Sequence, residues 1–315
     1  MKITIETVSL RDHVTEVLEK SLDDRIIVLD SDLSKSTGTS IFATRYPHRY
    51  IECGISEASA ISIATGLAIE GKIPFYVGFS LFAICSAWTQ LRMACYANAN
   101  IKLIGTHPGI DNGYDGASHH ANEDIALARS LPNMKIMVPA SLQEFEAAID
   151  LAIKTCGPVY IRCARDEIPP IPMSEQLLWG KSEIIYDNGN DYALIFEGTA
   201  TKAAIEGFEI LKRKGYLGKL INIRSIKPLD IDLIRKISTE VSVLLTVENH
   251  SVIGGLGGAV AESLASLSHH APVIYVGIAD IFTESGPTAE LKSAYGISGE
   301  HVADSIIDFI GEKIG

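Results

Sequence analysis

Short β-branched, apolar runs alternate with helix-patterned segments along nearly the whole chain, and few folds accept such a string. Strand patterns cover residues 25–29, 49–52, 74–77, 101–104, 135–138 and 158–163, with helical patterns at 11–21, 57–70, 82–97, 123–130 and 142–155. Parallel strands need a crossover between them, which a helix supplies, so this order predicts an α/β fold with a mostly parallel sheet. Three prolines in four residues, Pro169-Pro170-Ile171-Pro172, continue neither helix nor ladder, and 166–173 reads as a linker. The alternation resumes at 192–196, 220–223, 241–247 and 272–278. The expectation is two domains, 1–172 and 173–315, each an open mostly parallel sheet with helices on both faces. The second α/β core begins near Gly180 and is the smaller unit. A length of 315 residues agrees, because single cores usually stop growing below that size.

A net charge of −12 and a pI near 5.2 argue against nucleic acid, which wants a basic face. The five cysteines form no CxxC pair and lie in apolar or strand-like contexts, which suits a reducing compartment. Met1–Glu6 turns polar at once, so no secretory leader is expected. The longest apolar stretch, 75–88, is too short to span a bilayer. These features predict a soluble cytoplasmic protein that binds neither nucleic acid nor membrane.

The densest chemistry lies in Gly105-Thr106-His107-Pro108-Gly109-Ile110-Asp111-Asn112-Gly113-Tyr114-Asp115-Gly116-Ala117-Ser118-His119-His120. Three imidazoles, two carboxylates and four glycines separate a strand pattern from a helix start. Glycine lets backbone approach a ligand, and His and Asp hydrogen-bond or move protons near neutrality. A polar loop at the end of a buried strand is where an open α/β sheet binds its ligand. The alternative is an ordinary surface turn rich in Asp-Gly and Asn-Gly.

Glu57 opens a helix that carries no charge from Ala58 to Ile69 and is expected to be buried. Desolvation and the helix N-terminus act on its carboxyl in opposite directions, so it is either a ligand contact or a plain helix cap. Phe79 and Phe82, three apart after a strand, are either a stacking wall for a flat heteroaromatic ring or core. Gly254-Gly255-Leu256-Gly257-Gly258-Ala259-Val260 imitates a dinucleotide fingerprint, but Val260 takes the third glycine's place. A helix start packed tightly on a strand explains it better. There is no GxxxxGK[ST] loop, no HExxH and no compact metal cluster, so no metal ligand is assigned.

Together these segments resemble the C-terminal half of transketolase. Ile55-Ser56-Glu57 is similar to that family's catalytic glutamate motif, and the loop 105–119 aligns without gaps with its "THDSIGVGEDGPTH" stretch. Ser130-Leu131-Pro132-Asn133 with Val138-Pro139-Ala140, Ser31-Asp32-Leu33 with Ser36, and Arg165-Asp166-Glu167-Ile168-Pro169 resemble "SLPN…PA", "ADLxxS" and "RQNLP". Glu248-Asn249-His250 with Gly254-Gly255-Leu256-Gly257 looks like the family's C-terminal domain. The GDG…N motif of full-length members does not occur here, which implies a pyrimidine-binding domain followed by a C-terminal domain, as in a split transketolase.

The resemblance implies thiamine diphosphate as cofactor, with Mg²⁺ and the diphosphate held by an N-terminal-type partner subunit in a heterotetramer. Glu57 would hydrogen-bond the pyrimidine ring nitrogen, Phe82 with Phe79 would stack on that ring, and Asp32 and Leu33 would border it. His119 would contact the reacting oxygens and Asp115 would read the C2 hydroxyl of the donor. His107, Arg165, Ser36 and Arg11 would bind the terminal phosphate of a sugar phosphate acceptor. Pro108, Gly109, Tyr114 and His120 depart from the family pattern and leave the sugar open. A 1-deoxyxylulose phosphate synthase-like or modified-sugar transketolase, the β subunit of a 2-oxo acid decarboxylase, and a non-catalytic scaffold remain as alternatives.

Overall fold

A computed structural model describes residues 7–21, 23–171 and 173–314. Met1–Glu6, used in the leader reading, and Pro172, at the end of the expected first domain, lie outside the described residues. The first half contributes β1 (Ile26–Asp30), β2 (Tyr50–Glu52), β3 (Ile73–Phe79), β4 (Lys102–Thr106), β5 (Lys135–Met137) and β6 (Val159–Cys163). These run parallel in the order β5-β6-β4-β3-β1-β2. The second half supplies β7 (Glu183–Asp187), β8 (Tyr192–Glu197), β9 (Gly218–Ile223), β10 (Ser225–Lys227), β11 (Leu244–Ser251) and β12 (Val273–Ile278). Its sheet has the order β12-β11-β8-β9-β7, parallel except for β7 at the edge. Every residue of β1, β3, β4, β6, β8 and β9 is buried, as strands covered by helices on both faces must be.

The short edge strand β10 pairs antiparallel with β5 and so closes the first sheet with chain from the second half. One apolar cluster also crosses the junction. It joins Leu103 and Ile136 on the first sheet, with Val138 just past β5, to Ile195, Ile221 and Ile223 on the second. Burial of apolar surface at about 25 cal/mol per Å² makes such a shared cluster the principal adhesive between the halves.

The structure departs from the sequence reading at several points. The helix expected over 82–97 begins as a π-turn at Phe82–Ser86 and becomes regular only at Trp88–Tyr96. β11 runs on to Ser251 and carries Glu248, Asn249 and His250 into the core, where all three are fully buried. β7 and β10 have no periodic signature because they are short and lie at sheet edges. The helix Glu57–Ile69, uncharged after its first residue, is not buried all round. Ala60, Ile61 and Ala64 pack inward, whereas Ser59, Ser62, Gly66, Ile63 (41% exposed) and Ile69 (72%) face outward. Absence of charge reports compatibility with burial, and this chain alone covers only one side.

Candidate active site

The parallel strands direct one row of side chains to a single edge of the first sheet. In spatial order that edge presents Arg165 after β6, His107 after β4, Phe79 at the end of β3, Asp32 and Leu33 after β1, and Glu57 after β2. Neighbouring strands lie about 4.8 Å apart, so the four intervals from β6 to β2 spread these groups over roughly 19 Å. The arrangement is an elongated lip, with a carboxyl at one end and a guanidinium at the other.

The Asp32 turn is built from below. Buried Asp30 accepts hydrogen bonds from the Leu33 N–H (2.7 Å) and the Thr37 and Thr39 hydroxyls (2.6 and 2.8 Å). Burial raises the Asp30 pKa, and those donors oppose the rise. Asp32 itself sits at φ 61°, its N–H bonded to Glu52 Oε1 at 2.8 Å. Glu57 begins its helix half-buried, and its carboxyl makes no hydrogen bond or ion pair among the described residues. It therefore does not cap the helix, whose preceding Ser56 makes no side-chain cap bond either.

Midway along the lip the rings converge. Phe79 and Phe82 stack with centroids 5.9 Å apart at 14°, Phe79 lies 4.0 Å from the His107 ring, and His119 meets Phe82 edge-on at 5.3 Å. Phe79 is buried, whereas Phe82 and His119 are partly open. His107 occupies φ 55°, a conformation that costs a non-glycine residue about 1–3 kcal/mol, and its Nδ1 lies 2.9 Å from Thr106 Oγ1. Burial, then the charges of Arg165 and Arg11, push its pKa down to about 3, so the ring is neutral near pH 7. Asp115 is exposed, with no side-chain partner among the described residues.

At the other end a cavity of about 350 Å³ brings Arg11 and Arg165 together, with Asp12, Tyr114, Asp166 and Glu167 around them. Arg11 is forked onto Asp12 at 2.8 and 3.0 Å. Arg165 makes no ion pair with its neighbouring carboxylates; its Nη1 donates to the Asp111 carbonyl at 2.6 Å. Ser36, half-buried on the short helix Ser34–Thr37, does not line this cavity.

Behind the loop lies a polar network that the sequence reading missed. Asp111, fully buried, takes Lys292 Nζ at 2.9 Å, Asn249 Nδ2 at 2.9 Å and the N–H groups of Arg165 and Asp166. Burial works against its charge, yet Lys292 holds its pKa below the usual range. Asn249 also receives the Ile110 N–H and donates to the Pro108 carbonyl, so a Cβ on Gly109 (φ 57°) would overlap it. Arg162, fully buried, grips Asp124 at 2.9 and 3.0 Å, lies 3.2 Å from Glu197 and donates to the Asn249 carbonyl. A charged residue inside the apolar strand pattern 158–163 was the available signal for it. His120 contacts Thr283 at 2.6 Å on the C-terminal side. The glycine run starts the helix Leu256–Leu264: the Leu256 and Gly257 N–H groups donate to Glu248, and a Cβ on Gly255 would strike that carboxylate. Its role is packing, as the missing third glycine implied.

Among the described residues no group of three His, Cys, Asp or Glu side chains could hold a metal ion, and no helix is long and apolar enough to cross a membrane. The groups on the lip suit a flat heteroaromatic ring, with an aromatic pair for its face and an unengaged carboxyl for a ring nitrogen.

Family profiles and relatives agree on where this architecture belongs. The profile described as transketolase, pyrimidine binding domain, matches residues 6–170, and that of the transketolase C-terminal domain matches 180–302. A protein of Methanocaldococcus jannaschii described as a transketolase C-terminal section is 39% identical, over 90% of both chains. One subunit of an apulose-4-phosphate transketolase from Phocaeicola vulgatus is 31% identical over 96% of both. A solved split-gene transketolase, described as an inactive β4 tetramer, superposes with a TM-score of 0.87 at 36% identity, covering 96% of this chain and 98% of that one. A transketolase from Campylobacter jejuni shares the fold at 19% identity, with a TM-score of 0.82 over 98% of this chain and 48% of its own. The strand-edge layout, the two matched profiles and the shared length identify this chain as a member of the transketolase family, similar to the C-terminal subunits of split transketolases.

Proposed function

We propose that this chain is the pyrimidine-side subunit of a thiamine-diphosphate-dependent transketolase, moving a two-carbon ketol unit between sugar phosphates. Its division would be a pyrimidine-binding domain at 1–172 and a C-terminal domain at 173–315. An N-terminal-type subunit would complete it, holding Mg²⁺ and the diphosphate, and the two would pair into a heterotetramer. The observation that carries the reading is the lip itself: an unbonded Glu57, the Phe79–Phe82 pair and two histidines beside it. The half-covered helix behind Glu57 supports a partner chain, because its outer face is uncharged and exposes Ile63 and Ile69. Five unpaired cysteines agree with a cytoplasmic setting.

Thiamine diphosphate, when bound, supplies the carbon centre that carries the ketol unit. Glu57 would hold a proton at the pyrimidine ring nitrogen, and Phe82 with Phe79 would cover the ring face, with Asp32 and Leu33 bordering it. His119, half open beside Phe82, would move protons at the substrate's reacting oxygens. Neutral His107 would donate or accept a hydrogen bond without adding charge. Asp115 would accept from the C2 hydroxyl of the donor, fixing its configuration. Arg165 and Arg11 would receive the acceptor's terminal phosphate, and Ser36 would reach it only from outside the cavity.

A modified-sugar transketolase is the second reading. Three carboxylates share the cavity with two guanidinium groups, a weaker anion trap than phosphate usually meets. Relatives described as transketolase subunits for 6-deoxy-6-sulfo-D-fructose and apulose 4-phosphate support it. The primary test is reconstitution. The purified chain should show no ketol transfer and bind the cofactor weakly, and a diphosphate-binding partner should restore activity. Transfer by this chain alone overturns the proposal.

A further inference from the structure

We propose that Lys292, in the C-terminal half, is a positioning residue that keeps Arg165 available to an anionic substrate end. The inference rests on the acceptor-end reading of Arg165 above. Around Arg165 the chain places two carboxylates that ought to capture it. Asp111 is fully buried and accepts the Arg165 N–H at 3.2 Å, and Asp166 is the next residue. Neither pairs with the guanidinium. Both pair with Lys292 instead, whose Nζ lies 2.9 Å from Asp111 Oδ1 and 2.8 Å from Asp166 Oδ2. Among the described residues Arg165 spends only one side-chain donor, to the uncharged Asp111 carbonyl. The remaining guanidinium donors are left for the cavity it shares with Arg11.

The charge balance gives the reason. Lys292, Arg165 and Arg11 stand against Asp111, Asp166, Asp12 and Glu167, and Arg11 is already forked onto Asp12. With Lys292 in place, the two carboxylates nearest Arg165 are engaged. Without it, half-buried Asp166, which already feels the charge of the adjacent Arg165, would be left without its ammonium partner, and an internal ion pair would compete with any anion from outside. Lys292 comes from the helix Thr288–Ala294, whose first residue, Thr288, also lines the cavity. A residue of the C-terminal half would thus set the affinity of the pyrimidine-side cavity without touching the ligand.

The test uses the full chain and inorganic phosphate as probe, titrated calorimetrically at constant ionic strength. Lys292→Met should weaken phosphate binding at least tenfold, and Lys292→Arg should retain it. In an Arg165→Ala background, Lys292→Met should cause no further loss. Lys292→Met with Asp166→Asn should recover most of the affinity, because one unpaired carboxylate goes with the ammonium; this pair also serves if Lys292→Met alone does not fold. An equal loss in both backgrounds, or none in either, overturns the positioning role while leaving Arg165 as the anion ligand. If Arg165→Ala itself leaves phosphate binding unchanged, the acceptor-end reading falls and takes this inference with it.

Discussion

The loop 107–122 has two sides that obey opposite rules. Behind it, Asp111, Arg162, Asp124 and Asn249 are buried and bonded to one another, to Lys292 and to main chain. In front, Asp115 is exposed with no side-chain partner among the described residues, His119 is half open with its Nδ1 2.9 Å from Ser118 Oγ, and across the lip the Glu57 carboxyl makes no hydrogen bond or ion pair among the described residues. A buried polar group without a partner costs about 1–3 kcal/mol, so the back is built mostly of paired groups, with Asn112 Oδ1 and Asn122 Oδ1 the buried exceptions within the loop. The front escapes that penalty because water reaches it. On the proposed function, the paired groups behind hold the loop and the exposed, sparsely bonded groups in front are the ones offered to chemistry.

The contrast breaks if a front residue proves structural or a back residue proves dispensable. Glu57→Gln should lower turnover of the reconstituted complex by two to four decades, about the scale for losing a proton-transfer group, with the unfolding midpoint unchanged. Hydrogen–deuterium exchange at the cofactor's thiazolium carbon reads the step directly; undiminished exchange in the variant removes Glu57 from it. At the back, Arg162→Met strands Asp124 and Glu197 and should destabilise the chain by about 3–5 kcal/mol in urea titration. A midpoint close to wild type would mean that water or rearrangement replaces the guanidinium.

Smaller effects sharpen the boundary between the two sides. Arg165→Ala should reduce kcat/KM for phosphorylated acceptors by about one to two decades relative to glycolaldehyde, since a charge-assisted contact contributes roughly 1.5–3 kcal/mol. Equal losses on both acceptors deny it the phosphate. His107 belongs to both sides, buried yet at the lip. Its pKa is near 3 in the fold against an unfolded value of about 6.5, so unfolding takes up a proton between those limits. Its contribution is complete above pH 6.5 and declines as pH falls toward 3, by about 1.4 kcal/mol per pH unit. The stability advantage of wild type over His107→Gln should therefore shrink on acidification from pH 6.5 to 4.5. A constant difference would mean that the ring is protonated in the fold.

Local patterns foretell the β-then-α order and the loop's chemistry because both are written in neighbouring residues. Apolar runs of strand length, turn residues and a cluster of imidazoles need no partner to be recognised. Within that loop, the sequence reading singles out Asp115 and passes over Asp111, although both are aspartates between glycines. Their difference, exposure against burial on Lys292 and Asn249, is created by residues more than a hundred positions away. β10 escapes for a similar reason: three residues show no period, and only the open edge of β5 makes them a strand.

By itself the sequence determined that parallel strands end in glycine-rich and acidic turns, since strand propensity, helix crossover and turn chemistry act over a few residues. Tertiary structure alone decided which strand ends lie side by side. The order β6-β4-β3-β1-β2 sets Arg165, His107, Phe79, Asp32 and Glu57 along one edge, although in the chain they run in nearly the reverse order. It also decided that Lys292 and Asn249 of the second half would hold the loop of the first, because pairing buried charges depends on distances in space and not along the chain.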